Sequence, residues 1–240
     1  MKKLFLTLLF FVVAIFSISC SPTYRLEKAL EELNTNTYTM DGEMVISVTV
    51  NQFGYSQNNR TRSNMHIEAD VEKCYVENSI DGFITKTYVE IAGDNVDIYT
   101  CVDRGWDKST QSLDDYLVDS DISFLNINIK NAFIEEEDGL WVGNSQVLTE
   151  MMKEMIIKIC ERISESAGIL SYEVTKYNIK ITEKKVSNLD IEMNMVLSIA
   201  SATTASVRIR MDYDVINIGS TVVTVPTDLD KTPEDYNEKK

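Results

Sequence analysis

Two long runs of alternation near the C-terminus constrain this chain more than any other feature. Between Leu189 and Ile199, the residues Ile191, Met193, Met195, Leu197 and Ile199 alternate with Asp190, Glu192 and Asn194. A few residues on, Val207, Ile209, Met211, Tyr213 and Val215 alternate with Arg208, Arg210, Asp212 and Asp214. Successive side chains of a strand point to opposite faces, so each run has one dry face and one wet face. Strands of a parallel sheet are covered on both sides and read as unbroken apolar runs, so these belong to an antiparallel sheet.

The same period recurs earlier. Met44, Ile46, Val48 and Val50 oppose Ser47, Thr49 and Asn51, and Met65, Ile67, Ala69 and Val71 oppose His66, Glu68, Asp70 and Glu72. The polar stretch Gln57 to Arg62 between them is expected to be a hairpin loop. Asp81-Gly82 and Gly93-Asp94-Asn95 are turn signals bounding strands Phe83–Ile91 and Val96–Val102. Trp106 opens a short polar segment, and Leu113 to Val118 reads as a helical turn. Phe124, Ile127 and Ile129 fit either a strand or a helix. Phe133 to Val142 returns to strand around Asp138-Gly139, Tyr177, Ile179 and Ile181 mark another strand, and Val222 to Val225 a short last one.

Two segments carry the helical period instead. Leu26, Ala29, Leu30 and Leu33 share one face, behind Ser21 or Thr23 as cap and Pro22 suited to a first turn. From about Ser145 to Ser166, Leu148, Met151, Met152, Met155, Ile156, Ile159, Cys160 and Ile163 form a broad apolar stripe. Roughly nine one-faced strands and two amphipathic helices allow few packings. The expected fold is α+β: a curved antiparallel β-sheet, a half-barrel, wrapped around two main amphipathic helices. Prolines occur only at positions 22, 226 and 233, and no linker divides the chain, so a single domain is expected.

The N-terminus sets an address. Lys2 and Lys3 precede an apolar run, Leu4 to Ile18, shorter than the roughly 20 residues that span a bilayer and ending in small residues. Ser17-Ile18-Ser19-Cys20 resembles a lipobox, although Ser17 stands where that pattern usually has an aliphatic residue. The resemblance implies cleavage before Cys20 and diacylglycerol on its thiol, which anchors a domain stably without a spanning helix. The organisation read from this is a signal peptide over 1–19, one domain over 20–226 and a charged, disordered tail over 227–240, at the extracytoplasmic face of a membrane. Lys2 and Lys3 leave with the leader, so the 23 basic residues fall to 21 against 38 acidic ones, a net charge of −17 on 221 residues. Such a domain is repelled by phosphate backbones and anionic headgroups, which argues against nucleic acid and leaves the acyl groups as the attachment.

The order of elements resembles the LolA/LppX-like lipoproteins, and most of all a lipoprotein family of low-GC Gram-positive bacteria within that group. The resemblance is carried by Leu26–Leu33 leading into Tyr38-Thr39-Met40-Asp41-Gly42-Glu43, by Leu189–Ile199, and by Tyr213 through Ile218-Gly219 to Val225-Pro226. It implies a concave apolar surface or cavity, used in relatives to carry lipids or lipoproteins. Residues expected to line it are Met151, Met152 and Met155 on the second helix, with Ile46, Val48, Met193, Met195, Ile209 and Met211 on dry strand faces. Methionine suits adaptable pockets, and it equally fills ordinary cores.

No catalytic constellation emerges. His66 is the only histidine, which excludes multi-histidine metal sites and most histidine-based triads, and it sits on a wet strand face beside Glu68. No nucleophile elbow, P-loop or dinucleotide fingerprint is present. Glu135-Glu136-Glu137-Asp138 and Asp119-Ser120-Asp121 lack the spacing of a calcium loop, and the adjacent Asp114-Asp115 would diverge on a helix. No cofactor, metal or catalytic activity is therefore expected. Cys160 reads as a small buried hydrophobe. Cys74 and Cys101 fall in neighbouring expected strands, within range of a disulfide whose geometry spacing alone does not establish. Two functions remain: a lipid-anchored protein holding a lipid or other apolar ligand, or an envelope interaction module whose core is filled by its own side chains.

Overall fold

The structure, a computed structural model, describes residues 23–102, 105–113, 116, 132–153, 156–157, 168–200 and 203–232. Residues 1–22, Cys20 among them, Asp114-Asp115, Asp119-Ser120-Asp121, Phe124, Ile127, Ile129, Met155, Cys160 and residues 233–240 lie outside the described residues.

The first six strands are β1 (Tyr38–Gln52), β2 (Tyr55–Ala69), β3 (Lys73–Ile80), β4 (Phe83–Ala92), β5 (Asn95–Val102) and β6 (Asp107–Ser112), of which β3 and β6 form where no alternating run marks a strand in the sequence. They continue as β7 (Phe133–Glu137), β8 (Leu140–Gly143), β9 (Gly168–Thr182), β10 (Lys185–Ala200) and β11 (Thr203–Ile216). All eleven join one open antiparallel sheet in the order β6-β5-β4-β3-β2-β1-β11-β10-β9-β8-β7. Two meanders, one from each end of the chain, meet only where β1 pairs with β11. Register shifts in β10 against β9 and β11 insert the extra residues that bend a strand and increase its twist, so the sheet curves.

Two helices cover the inner, concave face. Helix α1 (Tyr24–Thr35) buries Leu26, Ala29, Leu30 and Leu33 and packs on β10. It crosses the lower end of the sheet, from Arg25, which pairs with Glu135 (3.2 Å) and Asp138 (3.0 Å) of the β7–β8 turn, to Thr35 at the foot of β1. Helix α2 (Ser145–Met151) is capped by the Asn144 side chain, which accepts from the Val147 N–H at 3.1 Å. It seals a bulge in β9. The Val174 N–H donates to Thr149 Oγ1 (2.9 Å), and the Ser145 hydroxyl donates to the Val174 carbonyl (2.6 Å), so backbone groups beside the bulge keep partners. Among the described residues no helix is long and apolar enough to cross a membrane.

Several expectations change. Gln57 to Arg62 is not a loop: it is the upper half of β2, paired throughout with β1, because the chain reverses at Phe53-Gly54, both at positive φ. The strand looks like a loop in sequence because both of its faces are wet there. Val71 lies in a turn rather than a strand, since Asp70 Oδ1 accepts from the N–H groups of Glu72 (2.7 Å) and Lys73 (2.6 Å). The described part of the second helix ends as α2 at Met151, although the Ile156 N–H still reaches the Met152 carbonyl at 3.0 Å. Val222 to Val225 is not a strand. After β11 the chain folds back as a strap over the outer face, with Thr221 against Thr39 (2.8 Å) and Thr224 N–H on Glu68 (2.6 Å). The strap ends at Trp106, whose indole donates to Asp228 (3.1 Å) and whose N–H reaches the Lys231 carbonyl (2.8 Å). Residues 227–232, which read from composition as the start of a disordered tail, thus lie against the domain.

Cys74 and Cys101 do not neighbour each other. Cys74 is on β3 and Cys101 on β5, with β4 between them, and the registers put them on opposite faces. Two strand spacings of about 4.8 Å already exceed the Cα separation that a disulfide tolerates. Neither cysteine is in a disulfide.

Candidate functional site

The inner face divides into a closed floor and a partly open upper wall. Met152, Met193, Met195, Ile209 and Met211, all expected to line a cavity, are buried in the main core with Trp141, Tyr177 and Leu148. Ile46 and Val48 are only half-buried; with Val50 on β1 and Met65 and Ile67 on β2 they rest against that core without being covered by it. Met151 points outward, 37% exposed. The structure therefore brings Ile46 and Val48 together with the buried set and leaves Met151 out.

Gly42 makes the inner wall possible where the two meanders meet. It stands opposite Tyr213 on β11 and Met65 on β2, and the Tyr213 ring lies over the space that a Gly42 side chain would occupy. The Tyr213 hydroxyl reaches Met65 Sδ at 3.1 Å, and burial pushes its pKa up to about 12. Nearby, burial raises the Cys74 thiol to about 11 and Tyr38 to about 12, in both cases by desolvation ahead of neighbouring charge. A thiol held so far above neutrality is a poor nucleophile.

The outer face holds the charged groups and two open clefts. One, of about 540 Å³, is lined by Asp41, Glu43, Asn64, Arg210, Asp212 and Asp214; the other, of about 290 Å³, lies above it along β1. A third cavity, of about 830 Å³, lies beside α1 and is lined by Tyr24, Lys28, Glu31, Glu32, Ile181 and Lys184 among others. No residue expected to bind an apolar ligand lines any of the three. Among the described residues no group of His, Cys, Asp and Glu is placed to hold a metal ion.

His66 is tied into the strap. Its Nδ1 lies 2.5 Å from Asp41 and its Nε2 3.3 Å from Glu68, whose other oxygen takes the Thr224 N–H. Burial lowers the imidazole pKa, but the hydrogen bonds and charges of Asp41 and Glu68 outweigh it, and the net shift is upward. Burial raises the Glu68 carboxyl, and the Thr224 hydroxyl, the Thr224 N–H and His66 outweigh that to lower it. The sign follows from linkage. The His66 contribution is complete below its unfolded value of about 6.5 and lost as pH rises through the raised folded value. The Glu68 contribution is present above about 4.5 and lost as pH falls through the lowered folded value. Amide-exchange protection of Thr224, corrected for intrinsic rates, should peak near about pH 5 to 6 and weaken on either side. His66→Gln should flatten the alkaline limb and make the acid limb shallower, since Glu68 keeps only its Thr224 bonds. Sequence placed His66 beside Glu68; Asp41 and Thr224 come from other elements, and no local signal points to them.

No protein-family model matches the chain, and no curated protein does. Among solved structures, it is similar to Ail, the attachment invasion locus protein of Yersinia pestis, solved with the heparin analogue sucrose octasulfate. The identity is 5%, over 76% of this chain and 99% of that one, with a TM-score of 0.23. It is also similar to the ywiB protein of Bacillus subtilis (8% identity, 74% and 92% covered, TM-score 0.21). A DUF1329 family protein of Desulfovibrio piger matches at 9% identity, 85% and 95% covered, TM-score 0.23. Likenesses this shallow carry no argument about function.

Proposed function

We propose that this chain is a non-catalytic lipoprotein of the LolA/LppX-like kind, anchored through acyl groups on Cys20 at the extracytoplasmic face of a membrane. Its upper inner wall takes an apolar ligand such as an acyl chain. The address rests on the leader and the lipobox-like Ser17 to Cys20. What supports the ligand reading is the row Ile46, Val48 and Val50 with Met65 and Ile67, apolar yet only half-buried above a closed core. Leaving apolar surface partly in water forgoes roughly 25 cal/mol per Å², which a ligand on that wall would recover.

The second reading, an interaction module with a filled core, is favoured by the burial of Met152, Met193, Met195, Ile209 and Met211. Native mass spectrometry of the folded chain separates the two. A copurifying or exchangeable hydrophobe, lost in an Ile46→Asn/Val48→Asn double variant that still folds, supports the ligand. A chain that stays empty when offered fatty acids and phospholipids sinks it. Radiolabelled palmitate incorporation abolished by Cys20→Ser tests the anchor.

A further inference from the structure

We propose a second site on the opposite face of the sheet: a groove along β1 that holds a linear phosphate polymer between two rows of arginines. Of 240 residues 38 are acidic, yet residues 44–67 and 193–211 contain no Asp or Glu, where the average composition would place about seven. The same two windows contain Arg60, Arg62, Arg208 and Arg210, four of the seven arginines in the chain.

Pairing brings the two windows side by side. They are the upper halves of β1 and β2 and of β10 and β11, adjacent in the order β2-β1-β11-β10. The registers set Arg62 and Arg210 on either side of Val45, and Arg60 and Arg208 on either side of Ser47, all on the outer face. Small side chains on β1 between long ones on its neighbours leave a groove of about 290 Å³, bordered below by Glu43. Members of each arginine row are about 7 Å apart along the strand, so a chain of oxyanions can follow them. Above them the face continues with Thr49 and Asn51 on β1, Asn58 and Ser56 on β2, and Ser206 and Thr204 on β11, hydroxyls and amides without a charge.

Four guanidinium groups gathered on one patch repel one another unless anions sit among them. Three are tethered at the lower border: Arg62 to Glu43 (2.9 Å), Arg208 to Glu192 (2.8 Å) and Arg210 to Asp212 (3.7 Å). Arg60 has no carboxylate partner among the described residues, and all four side chains retain donors for a forked bond to phosphate. The groove has no aromatic floor for stacking bases, which disfavours single-stranded nucleic acid. A bilayer fits less well. Phe53 and Tyr55 at the top of the hairpin are 77% and 83% exposed, but Arg60 lies five residues, about 16 Å, below Tyr55. That is deeper than the roughly 5 to 10 Å that an interfacial apolar group penetrates. A polymer lying along β1 reaches all four arginines.

The test titrates the full chain with long-chain inorganic polyphosphate, followed by calorimetry, in about 50 mM and about 200 mM salt. The wild type should bind, more weakly at the higher salt. Arg60→Gln/Arg208→Gln and Arg62→Gln/Arg210→Gln should each lose about tenfold or more in affinity with unchanged thermal melts. Lys28→Gln/Lys184→Gln, beside α1, should stay within about twofold, as a removed surface charge outside the site does. Absence of binding at low salt overturns the proposal, as does equal binding by the arginine variants or an equal loss in the lysine control. Binding to phosphatidylglycerol vesicles without binding to polyphosphate, lost in Phe53→Ser, assigns the surface to a bilayer instead.

Discussion

Gly42→Ala should destabilise the fold by about 3 kcal/mol or more, toward the upper end of what overpacking a core costs. A Cβ at this position would collide with the carbonyl oxygen of Asp212 and the ring of Tyr213 and would stand 2.7 Å from the Tyr213 Cα. Two of those three obstacles are backbone, which a rotamer change cannot move aside. The clash falls on the β1–β11 pair, the one seam joining the two meanders, so relief by sliding would disturb the register of the whole sheet. Urea unfolding measures it as a lower midpoint. An unchanged midpoint would mean that the two strands are not in this register. A Gly42→Ala/Tyr213→Leu pair should recover only part of the loss, because the Asp212 carbonyl remains in the way.

Trp141→Ala should cost about 3 to 5 kcal/mol, with a fall of roughly 10 °C in the melting temperature for a chain of this size. Trp141 is 1% exposed, lies on β8 opposite Ile179 of β9, and belongs to the core that α1 and α2 cover. Its indole N–H is buried without a hydrogen-bond partner among the described residues. Trp141→Phe therefore loses apolar contact but removes an unsatisfied donor, and should cost about 1 kcal/mol. Calorimetry of the two variants distinguishes them. Equal losses would show that the indole nitrogen is bonded in solution.

Period-two alternation is a local signal, and it was legible wherever one face is buried. Val207 to Val215 and Ile191 to Leu197 appear in the structure with the faces read from sequence: the apolar members are buried and their neighbours lie toward solvent. The stripe of α1 was equally plain, since Leu26, Ala29, Leu30 and Leu33 are all buried. The signal vanished in upper β2, where Gln57 to Arg62 has no dry face, and only the backbone ladder to β1 makes it a strand. It misled at Val222 to Val225, where alternating character belongs to a strap whose Val223 packs on Tyr75 and Tyr88. The candidate wall was half legible for a related reason. A methionine that lines a pocket and one that fills a core look identical in sequence, and neighbours from distant segments decided that Met193 and Met195 are buried while Ile46 and Val48 are not.

What the sequence determined by itself was the antiparallel class, the inward faces of β1, lower β2, β9, β10 and β11, and the strongly acidic total. What only the tertiary structure decided was adjacency: that β1 meets β11, that β4 separates Cys74 from Cys101, that Asp41 and Thr224 close on the His66–Glu68 pair, and that two acid-free windows form one arginine-bearing patch. The division is physical. Alternation, turns and charge reside in consecutive residues, whereas the seam of β1 with β11 and the strap on Glu68 are contacts between residues more than a hundred positions apart.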